Sequence, residues 1–584
     1  MSQQEVNMVN LTINGMKVTV PSGSTILEAA RTLGIEIPTL CFLKEINEIG
    51  ACRICVVEVN GKKLQAACVF PVSEGMDVKT NSLRVQDARR VTLKMLLSTH
   101  NRDCLSCIRS GNCELQKLCK EFGIENSDQY AGEMLKYEND DSAVHMVRDD
   151  NKCILCRRCI ATCKSQHIGV IGTNARGFDT HVSCAMEKSL SDVPCISCGQ
   201  CIVNCPTAAL SEKDETDKVW QALNDPEKFV VVHAAPSIRV TLGECFGMPI
   251  GTNVKGKMVA AMRRIGFDRV FDTDFGADLT IVEEATELLE RMNNNGKLPM
   301  ITSCSPGWVR FCEYYYPEML ENLSTCKSPQ QMTGALIKTW FAKKEGIDPK
   351  NIFVVGIMPC TAKKVENLRG PFAIEGIQDV DVSLTTREFA RMISRAGIYF
   401  RHLPDEEFDP TLGESTGAGA IFGTTGGVME AALRTASEWI TGESQERVEF
   451  EEVRGLNGIK EATYKIGDKT LRVALASGTG NADELMKKIK SGEAEYDFIE
   501  IMGCPGGCIN GGGQPVQHAV VHNFVNLSKM RAKALYEEDR NLPIRKSHES
   551  PIIKKIYDEF LGKPGSEAAH KLLHTSYNAK KRYE

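Results

Sequence analysis

The amino-acid sequence predicts a multidomain protein that combines α+β and α/β domains. Its 584 residues are enough for about four domains at roughly 150 residues each. Cysteine occurs 24 times, and many of these residues fall between positions 128 and 215, where few large apolar side chains are available to form a core. We expect metal binding to organise the chain there. The C-terminal part alternates short apolar runs with amphipathic stretches, which is the pattern of sheets covered by helices.

The composition excludes several classes of function. Lys plus Arg is 70 and Asp plus Glu is 76, a net charge of −6, so nothing draws the chain to nucleic acid or to an anionic membrane. No apolar run approaches the roughly 20 residues of a membrane span. The N-terminal residues MSQQEVNMVN lack a secretory signal. We therefore expect a cytoplasmic protein with no nucleic-acid partner and no membrane partner. Thiols stay reduced in that compartment, so metal ligation explains the cysteines better than disulfides do.

Residues 1–83 are predicted to form a small β-rich domain. Two Asn-Gly pairs, Asn14-Gly15 and Asn60-Gly61, each separate two apolar runs, as in two-residue hairpins. Ser24 and Thr25 can begin a short helix between the hairpins. Four cysteines spaced C-x10-C-x2-C-x12-C are candidate metal ligands: Cys41, Cys52, Cys55 and Cys68. A [2Fe–2S] cluster is the favoured interpretation and a zinc site is the alternative.

Residues 84–127 are predicted to be helical and charged, with a metal-binding motif between the helices. The motif is H-x3-C-x2-C-x5-C, formed by His100, Cys104, Cys107 and Cys113. An isolated histidine is more often an ordinary surface or core residue. This one lies a helical turn before a Cys-x2-Cys pair, and imidazole can replace thiolate in iron–sulfur sites. We therefore predict a [4Fe–4S] cluster with one histidine ligand.

Residues 128–218 carry the same four-cysteine motif twice. The first C-x2-C-x2-C-x3-C run is Cys153, Cys156, Cys159 and Cys163, and the second is Cys195, Cys198, Cys201 and Cys205. In the bacterial ferredoxin pattern, the fourth cysteine of each run ligates the cluster of the other run. The pattern therefore assigns Cys205 to the first [4Fe–4S] cluster and Cys163 to the second. A pair of zinc sites is the alternative.

Residues 219–584 are predicted to form an α/β domain with one site built from three distant segments. In each segment, cysteine lies near Gly or Pro, which lets the backbone approach a bulky inorganic group. The segments are Thr302–Trp308 (TSCSPGW), Met358–Glu366 (MPCTAKKVE) and Glu500–Pro515 (EIMGCPGGCINGGGQP). A further glycine pair, Gly478 and Gly480, follows an apolar run as in a dinucleotide-binding loop. Asp483 occupies the position of the third glycine, so we expect no nicotinamide or flavin site there.

These three segments and the four upstream cysteine motifs resemble the [FeFe]-hydrogenases over nearly the whole chain. The resemblance implies an N-terminal β-grasp [2Fe–2S] ferredoxin-like domain, a small His/Cys cluster domain and a bacterial 2[4Fe–4S] ferredoxin-like domain. A large α/β hydrogenase catalytic domain would follow from residue 219. It also implies an H-cluster, which is a [4Fe–4S] cubane joined through one cysteine to a diiron unit carrying CO, CN⁻ and azadithiolate. The accessory centres would be three [4Fe–4S] clusters and one [2Fe–2S] cluster.

The resemblance also assigns roles to residues of the catalytic domain. Cys360, Cys504 and Cys508 would ligate the cubane, with Cys508 bridging to the diiron unit. Lys363 and Ser237 would bind the cyanides, and the remaining cofactor contacts would come from Pro236, Met358 and Met502.

One position departs from the family pattern, which usually has two adjacent cysteines in the first segment. Here Cys304 stands at the proton-shuttle position, and Ser305 stands at the cubane-ligand position. Either Ser305 ligates iron through an alkoxide, or Cys304 turns to ligate and the shuttle is weakened. Position favours the first hypothesis.

A proton path is the other role that the resemblance implies. Glu284, Glu287 and Arg291 are spaced i, i+3 and i+7, on one face of a predicted helix. A solvated charged face is the plain alternative. The resemblance implies instead a relay from Cys304 through Glu284, Ser324 and Glu287 to Arg291.

The long first gap in the N-terminal cysteine motif, between Cys41 and Cys52, resembles that of the ferredoxin-like domain in the large iron–sulfur subunit of respiratory complex I. An N-terminal half of this kind resembles that of catalytic subunits of NAD(P)-linked, often flavin-dependent hydrogenases, several of which bifurcate electrons. The implied partners are H₂, protons, ferredoxin, a flavin/NAD(P)-binding subunit and a small iron–sulfur subunit, in a hetero-oligomer. A stand-alone ferredoxin-dependent hydrogenase is one alternative. A non-catalytic electron relay or H₂ sensor is another, because of Ser305.

Overall fold

The N-terminal domain is a mixed five-stranded sheet in the order β2-β1-β5-β3-β4 with one helix packed on it. The computed structural model describes residues 7–125, 130, 132–444, 448–455 and 458–583. The elements of this domain are β1 (Met8–Ile13), β2 (Met16–Pro21), α1 (Ile26–Thr32), β3 (Val56–Val59), β4 (Lys63–Ala66) and β5 (Met76–Lys79). Asn14-Gly15 forms the predicted two-residue hairpin loop, with Ile13 paired to Met16. At Asn60-Gly61 a hairpin is also present, but its loop has three residues rather than two, because Val59 pairs with Lys63. Thr25 caps α1 in a capping box with Glu28.

The next two domains contain short elements connected by cysteine-bearing loops. The first of them contains α2 (Leu83–Ser98), which begins one residue before the predicted boundary, and α3 (Glu114–Glu121). The following domain has two two-stranded sheets, β6–β9 and β7–β8. Its elements are β6 (Met146–Arg148), α4 (Arg158–Ser165), β7 (Ile171–Asn174), β8 (His181–Cys184), α5 (Gln200–Val203) and β9 (Leu210–Glu212). The core of this domain contains several of the motif cysteines themselves.

The catalytic domain contains two four-stranded sheets covered by helices. The strands are β10 (Phe229–Ala234), β11 (Arg269–Asp272), β12 (Met300–Ile301), β13 (Ile352–Met358), β14 (Val382–Thr385), β15 (Gly458–Ile466), β16 (Lys469–Ser477) and β17 (Phe498–Met502). The first sheet, β11-β10-β13-β14, is parallel throughout. Val231 faces one apolar core and Val230 and Val232 face the other, so both faces of this sheet are buried.

Helices of very different lengths cover these sheets. The helices are α6 (Thr216–Leu223), α7 (Lys255–Ile265), α8 (Thr273–Asn293), α9 (Pro306–Tyr315), α10 (Pro329–Leu336), α11 (Ala342–Glu345), α12 (Ala362–Glu366), α13 (Thr386–Arg395), α14 (Gly417–Ala420), α15 (Gly427–Thr441) and α16 (Thr479–Lys490). Among the residues that the structure describes, no helix combines the length and the apolar character needed to cross a lipid bilayer.

Strand direction brings the three cysteine segments together. Strand β10 runs parallel to β13, and β12 runs parallel to β17, so in each sheet the carboxyl ends of these neighbours lie at the same edge. Loops that leave such an edge are the usual position of a site in parallel α/β sheets. The loops after β10, β12, β13 and β17 carry Ser237, Cys304, Cys360 and Cys504, respectively.

The ferredoxin-like domain contacts the catalytic domain through glycines. A Cβ on Gly512 would lie 2.1 Å from the carbonyl oxygen of Cys198 and 2.5 Å from Cα of Gly199, so only glycine fits. The Thr361 hydroxyl donates to the Ser197 carbonyl at 2.7 Å. The loop that resembles a dinucleotide site belongs to this junction too. The Thr479 amide at the start of α16 donates to Gln166 Oε1 at 3.0 Å, so a side chain occupies the position of a phosphate.

The last part of the chain wraps around the catalytic domain. Its helices are α17 (Ala519–His522), α18 (Leu527–Asn541), α19 (Pro551–Ile556) and α20 (Glu567–Leu573). The Arg531 guanidinium on α18 pairs with Glu244 at 2.6 Å. The chain after α20 lies against residues 325–327, where Lys327 N donates to Leu573 O and Thr575 N donates to Thr325 O, both at 2.7 Å.

Candidate functional site

A cavity at the carboxyl edge of the two sheets collects the residues of the three segments. Ten residues singled out in the sequence line it: Pro236, Ser237, Cys304, Ser305, Met358, Cys360, Lys363, Met502, Cys504 and Cys508. The rest of its wall is largely apolar or glycine, including Ala277, Phe422 and Gly423. The cavity therefore offers a few polar and sulfur groups inside an otherwise apolar enclosure.

Three cysteine thiols face one another across this cavity. Burial raises the pKa of Cys504, and the neighbouring Cys360, Cys198 and Cys508 raise it further. Burial and Cys360 likewise raise the pKa of Cys508, to about 12. All three cysteines line the same cavity, as the ligands of a single metal group would.

Cys304 and Ser305 face different neighbours. Burial raises the pKa of Cys304 well above its usual value, followed by the effects of Glu284 and Cys508. The Ser305 hydroxyl oxygen instead accepts a hydrogen bond from Gly503 N at 3.2 Å, next to Cys504. Cys304 thus lies towards the buried carboxylates, and Ser305 lies towards the loop that carries a cysteine of the cavity.

A lysine and a glutamine fix the polar side of the cavity. Lys363 Nζ donates to the Cys304 carbonyl at 3.2 Å and pairs with Glu366 at 2.9 Å. Gln514 Nε2 donates to Ser237 Oγ at 3.2 Å and to the Cys508 carbonyl at 3.0 Å. Gln514 lies within the third segment but was not singled out from the sequence, because an amide next to Pro515 has no spacing pattern that marks it.

The charged residues of α8 form a line that begins near Cys304. Glu284 is buried, and among the described residues neither of its carboxylate oxygens accepts a well-formed hydrogen bond, although the Ser324 hydroxyl and the Ser303 amide lie close enough to lower its pKa. Burial and the nearby Glu287 raise the pKa of Glu284 to about 8. The Ser324 hydroxyl donates to Glu287 Oε2 at 3.1 Å, and Arg291 pairs with Glu287 Oε1 at 2.5 Å. This face of α8 is therefore largely enclosed, unlike a solvated charged face.

A second buried carboxylate lies beside the cavity and was also missed from the sequence. Glu500, on β17, accepts hydrogen bonds from Gly426 N and Met429 N, both at 2.7 Å, at the start of α15. Burial raises the pKa of Glu500 to about 7. Alternating strand residues give no signal for a carboxylate whose partners are amides 71 and 74 residues away.

The four N-terminal cysteines converge in the first domain. Cys41, Cys52, Cys55 and Cys68 are all buried. The Sγ atoms of Cys55 and Cys68 are 3.3 Å apart, and the Cys52 amide donates to Cys41 Sγ at 3.5 Å. Four thiols gathered in this way, without disulfides, form a donor set for one metal group.

His100 has the environment of a neutral ligand. It is buried, and in the described part of the chain its Nδ1 atom has no hydrogen-bond partner. Burial lowers the pKa of His100 to about 4, which leaves a lone pair available for metal at neutral pH. Cys104, Cys107 and Cys113 of the same motif are partly exposed.

The cysteines of the ferredoxin-like domain lie in two adjoining groups. Burial raises the pKa of Cys159, and so do Cys156, Cys205 and Cys153 around it. Burial also raises the pKa of Cys201, together with Cys198, Cys195 and Cys163, and Cys159 of the first run contributes as well. The fourth cysteine of each run therefore lies near cysteines of the other run. The neighbours that raise the pKa of Cys198 include Cys360, so the second group adjoins the catalytic cavity.

Four family models match consecutive parts of the chain. Residues 6–82 match a 2Fe-2S iron-sulfur cluster binding domain, and residues 89–128 match the NADH-ubiquinone oxidoreductase-G iron-sulfur binding region. Residues 228–512 match the C-terminal domain of the iron only hydrogenase large subunit. Residues 526–580 match the iron hydrogenase small subunit.

Known proteins resemble the chain over almost all of its length. The NADP-reducing hydrogenase subunit HndD of Solidesulfovibrio fructosivorans is 51% identical over 99% of this chain and 100% of its own. Iron hydrogenase 1 of Clostridium pasteurianum is 45% identical over 98% of this chain and 100% of its own. The chain belongs to the [FeFe]-hydrogenase family. Among solved structures, a variant of the apo [FeFe]-hydrogenase HydA1 from Chlamydomonas reinhardtii is 41% identical, with a TM-score of 0.56. That match covers 62% of this chain and 99% of HydA1.

As an [FeFe]-hydrogenase, the chain is an oxidoreductase that acts on H₂, with 2Fe-2S, 4Fe-4S and H-cluster domains. The catalytic cavity fits the H-cluster, because its soft thiol donors suit iron. Gly507 also lines the cavity, just before Cys508. Its φ is +93° and a Cβ there would lie 2.7 Å from Thr425 N, so only glycine fits at this bend of the loop. The unpartnered Nδ1 of His100 fits an accessory [4Fe–4S] cluster in the same way. The small-subunit match is a division that the sequence analysis did not make, since it treated residues 219–584 as one domain.

Proposed function

We propose that this [FeFe]-hydrogenase is the catalytic subunit of a multi-subunit enzyme that interconverts H₂ with protons and electrons. Its electrons would pass through the iron–sulfur chain to a flavin- and NAD(P)-binding partner subunit and to ferredoxin, as in electron bifurcation. The observation that carries this proposal is the direct contact of the loop that carries Cys198, in the second ferredoxin-like group, with the loops that carry Cys360 and Cys504 at the cavity. It supports an unbroken route from the accessory sites to the catalytic cavity.

We assign the accessory centres to the four groups of ligands that the sequence motifs define. One [2Fe–2S] cluster would be bound by the four N-terminal cysteines, and one [4Fe–4S] cluster by His100 with its three cysteines. Two further [4Fe–4S] clusters would lie in the ferredoxin-like domain. The choice of partner is supported by the complex I-like match at residues 89–128 and by the 51% identity to a subunit of an NADP-reducing hydrogenase.

The catalytic cavity would bind the H-cluster through Cys360, Cys504, Cys508 and Ser305. When bound, the H-cluster supplies the iron that takes up H₂ and an amine that exchanges a proton with the protein. Lys363 and Ser237 would donate to the cyanides, and Met358 and Met502 would exclude water. The Lys363 ammonium is held in place by its bonds to Glu366 and to the Cys304 carbonyl.

The chain's own residues would carry the proton between this cavity and solvent. Cys304 stays protonated at neutral pH because burial raises its pKa, so its Sγ can hold the proton that is exchanged. Glu284 has a pKa of about 8 and can both accept and release a proton in the neutral range. Ser324, Glu287 and Arg291 would continue the path outwards.

Ser305 is proposed to ligate the cubane through its hydroxyl oxygen. The Ser305 hydroxyl oxygen accepts a hydrogen bond from Gly503 N, beside Cys504, whereas Cys304 adjoins Glu284. These contacts support ligation by Ser305 rather than by Cys304. We expect Ser305→Ala to change the spectrum and the redox potential of the cubane, because the alkoxide, a harder donor than thiolate, would be lost. Ser305→Cys should give the thiolate form and serves as the matched control. If Ser305→Ala left both properties unaltered, alkoxide ligation would be excluded.

Infrared spectroscopy of the chain, matured and handled without oxygen, tests the catalytic part of the proposal. Bands from CO and CN⁻ that shift between H₂ and argon are the expected result. Absence of these bands in a chain that holds its other clusters would contradict it. A non-catalytic relay would give that second result.

Electron-acceptor assays test the choice of partner. If the proposal is right, the chain reduces NAD(P)⁺ with H₂ only when a flavin-containing partner subunit is added. The 45% identity to Iron hydrogenase 1, whose name carries no subunit designation, favours a second candidate, a stand-alone ferredoxin-dependent hydrogenase. Full H₂ evolution from reduced ferredoxin, with no gain in any assay from a flavin partner, would select that candidate.

A further inference from the structure

We propose that the C-terminal segment, residues 526–580, holds the residues of the proton path in position, and that His574 is the positioning residue. The inference rests on the proposed function, because it concerns the same path from Cys304 to Arg291. Residues 324–326 supply that path with the Ser324 hydroxyl, and the Thr325 amide donates to Glu287 Oε2 at 3.0 Å. What holds this short stretch of chain against Glu287 therefore decides whether the path is continuous.

The C-terminal segment holds that stretch from one side. Cys326 and His574 form an antiparallel bridge, and Thr575 N donates to Thr325 O at 2.7 Å. The Tyr577 hydroxyl donates to the Ser324 carbonyl at 2.8 Å. On the other side, Ser324 N donates to Ile301 O at the end of β12, also at 2.7 Å. The path residues thus lie between the core sheet and the last residues of the chain.

His574 additionally ties this stretch to the helix that carries the acidic path residues. Its Nε2 atom lies 3.1 Å from Glu283 Oε2, and its Nδ1 atom lies 2.7 Å from Thr325 Oγ1. A carboxylate only accepts hydrogen bonds, so Nε2 carries the donated proton. Glu283 precedes Glu284 on α8, so one imidazole spans the two elements whose separation sets the contact of Ser324 with Glu287.

Glu283 gives this bridge a fixed anchor. It is buried, and it also accepts hydrogen bonds from the Tyr557 hydroxyl and from Gly565 N, at 3.1 Å for the latter. Both of these donors belong to the C-terminal segment as well. Glu283 therefore stays in place when His574 is changed, and the expected effect of a substitution falls on Thr325 and its neighbours.

Proton transfer requires hydrogen-bond distances between successive groups, and a displacement of about 1 Å can reduce a rate by about 10²-fold. We expect His574→Phe, which keeps the ring but removes both hydrogen bonds, to lower turnover by about 10- to 100-fold. The solvent isotope effect should rise, because proton movement becomes limiting. The CO and CN⁻ bands should stay at the wild-type positions, because His574 is not among the residues that line the cavity.

Two conservative variants separate the two hydrogen bonds of His574. An asparagine amide can reach the position of Nδ1, and a glutamine amide can reach that of Nε2. Each variant breaks the connection between Thr325 and Glu283, so both should remain slower than wild type. His574→Asn, which keeps the bond to Thr325, should be the less impaired of the two. His570→Phe is the matched control, since His570 is exposed on α20 and its ring lies only 4.1 Å from that of His574.

The inference is tested by two measurements on the full chain, made in parallel: turnover, and hydrogen–deuterium exchange of the backbone amides. Exchange of the amides of residues 323–327 should speed up in His574→Phe and not in His570→Phe, whatever the activity. Unchanged exchange, or wild-type turnover of His574→Phe beside a slow Glu287→Gln, would overturn the inference and leave the proposed function standing. Wild-type turnover of Glu287→Gln would instead contradict the proposed path itself.

Discussion

Glu284 is the residue on which the proposed proton path depends most directly. It is buried next to Glu287, and the Ser324 hydroxyl and the Ser303 amide are the polar groups nearest its carboxylate. A buried carboxyl group that is partly protonated near neutral pH can accept a proton on one side and release it on the other. The hydrogen bonds and the ion pair of Glu287 make it a more fixed group, closer to solvent.

Replacing Glu284 with glutamine tests this role at constant shape. The amide cannot exchange a proton, so we expect Glu284→Gln to lower both H₂ oxidation and H₂ evolution by about 10²- to 10⁴-fold. The infrared bands of the H-cluster should be retained. Glu290→Gln, an exposed position on the same helix, is the matched control and should keep wild-type rates. Wild-type turnover of Glu284→Gln would remove Glu284 from the path.

The pH dependence follows from the same carboxyl group. Its pKa is raised to about 8, so it is protonated below that pH and ionised above it. H₂ oxidation needs the ionised form to accept a proton from Cys304, so its rate should rise as pH increases through about 8. H₂ evolution needs the protonated form and should fall over the same range. Rates recorded at fixed driving force from pH 6 to 10 would check this, and a flat profile in both directions would contradict it.

At this scale, short motifs made much of the site predictable. The three cysteine segments carried the resemblance to a known family, and that resemblance supplied most of the ten residues that line one cavity. Gln514 and Glu500 were missed, although both lie in a quoted segment, because their partners are distant in sequence. Their importance becomes visible only when Ser237 and the start of α15 are brought beside them.

At the scale of elements, the junction between Gly199 and Gly512 connects the ferredoxin-like domain to the cavity. The loop before α5 carries Cys198 and Gly199, and the loop after β17 carries Cys504 and Gly512. Their backbones touch, and Arg387 Nη2 donates to the Gly512 carbonyl at 2.9 Å to hold the second loop in place. The separation between Cys198 and the cavity cysteines is therefore set by two residues without side chains.

Gly512→Ala should separate these loops. The added Cβ would meet the backbone of Cys198 and Gly199, which cannot give way as a side chain could, and such overpacking costs about 1–3 kcal/mol. We expect slower reduction of the accessory clusters under H₂, followed by electron paramagnetic resonance, with unchanged exchange of H₂ with D₂O. Gly172→Ala, which meets nothing within 4 Å, is the control. Equal reduction rates in both variants would show that the junction does not limit electron transfer.

The sequence predicted local elements better than the tertiary contacts between them. Asn14-Gly15 and Asn60-Gly61 marked both hairpins, since such turns require positive φ at their central residues. Gly478 and Gly480, after an apolar run, resembled a dinucleotide-binding loop in which Asp483 replaced the third glycine. The structure shows what this loop does instead: the Thr479 amide donates to Gln166, 313 residues away in the chain. Long-range partners of this kind cannot be inferred from local pattern.

At the scale of the whole molecule, the chain contains two kinds of core. The catalytic domain has large apolar cores on both faces of its first sheet. The ferredoxin-like domain has a small core in which motif cysteines such as Cys159 and Cys205 pack beside apolar residues. We infer that the first kind is stabilised by burial and the second by metal, because binding free energy becomes folding free energy in such domains.

Limited proteolysis of the chain with and without iron checks this difference. Without iron, we expect rapid cleavage within residues 84–218, while the catalytic domain remains largely protected. Reconstituting the iron–sulfur clusters should restore protection of that part. Equal protection of residues 84–218 in the iron-free chain would contradict the expectation.

The order of the domains was predictable because each carries its own cysteine spacing. The separate character of residues 526–580 was not, since the segment contains no cysteine and no motif. Its importance depends on Leu573–Tyr577 lying against residues 324–327, which is a tertiary contact. Sequence pattern alone gives no access to such a contact.

The covalent attachment of this C-terminal segment has a consequence for how the enzyme behaves on dilution. A separate small chain would leave its binding site as the protein concentration fell below the dissociation constant. A tethered segment instead meets its site at an effective concentration that is commonly in the millimolar range. The hydrogen bonds of His574 and Tyr577 to residues 324–325 are therefore independent of the enzyme concentration. One copy of the segment also accompanies every catalytic domain from synthesis onwards, so no assembly step has to bring the two together.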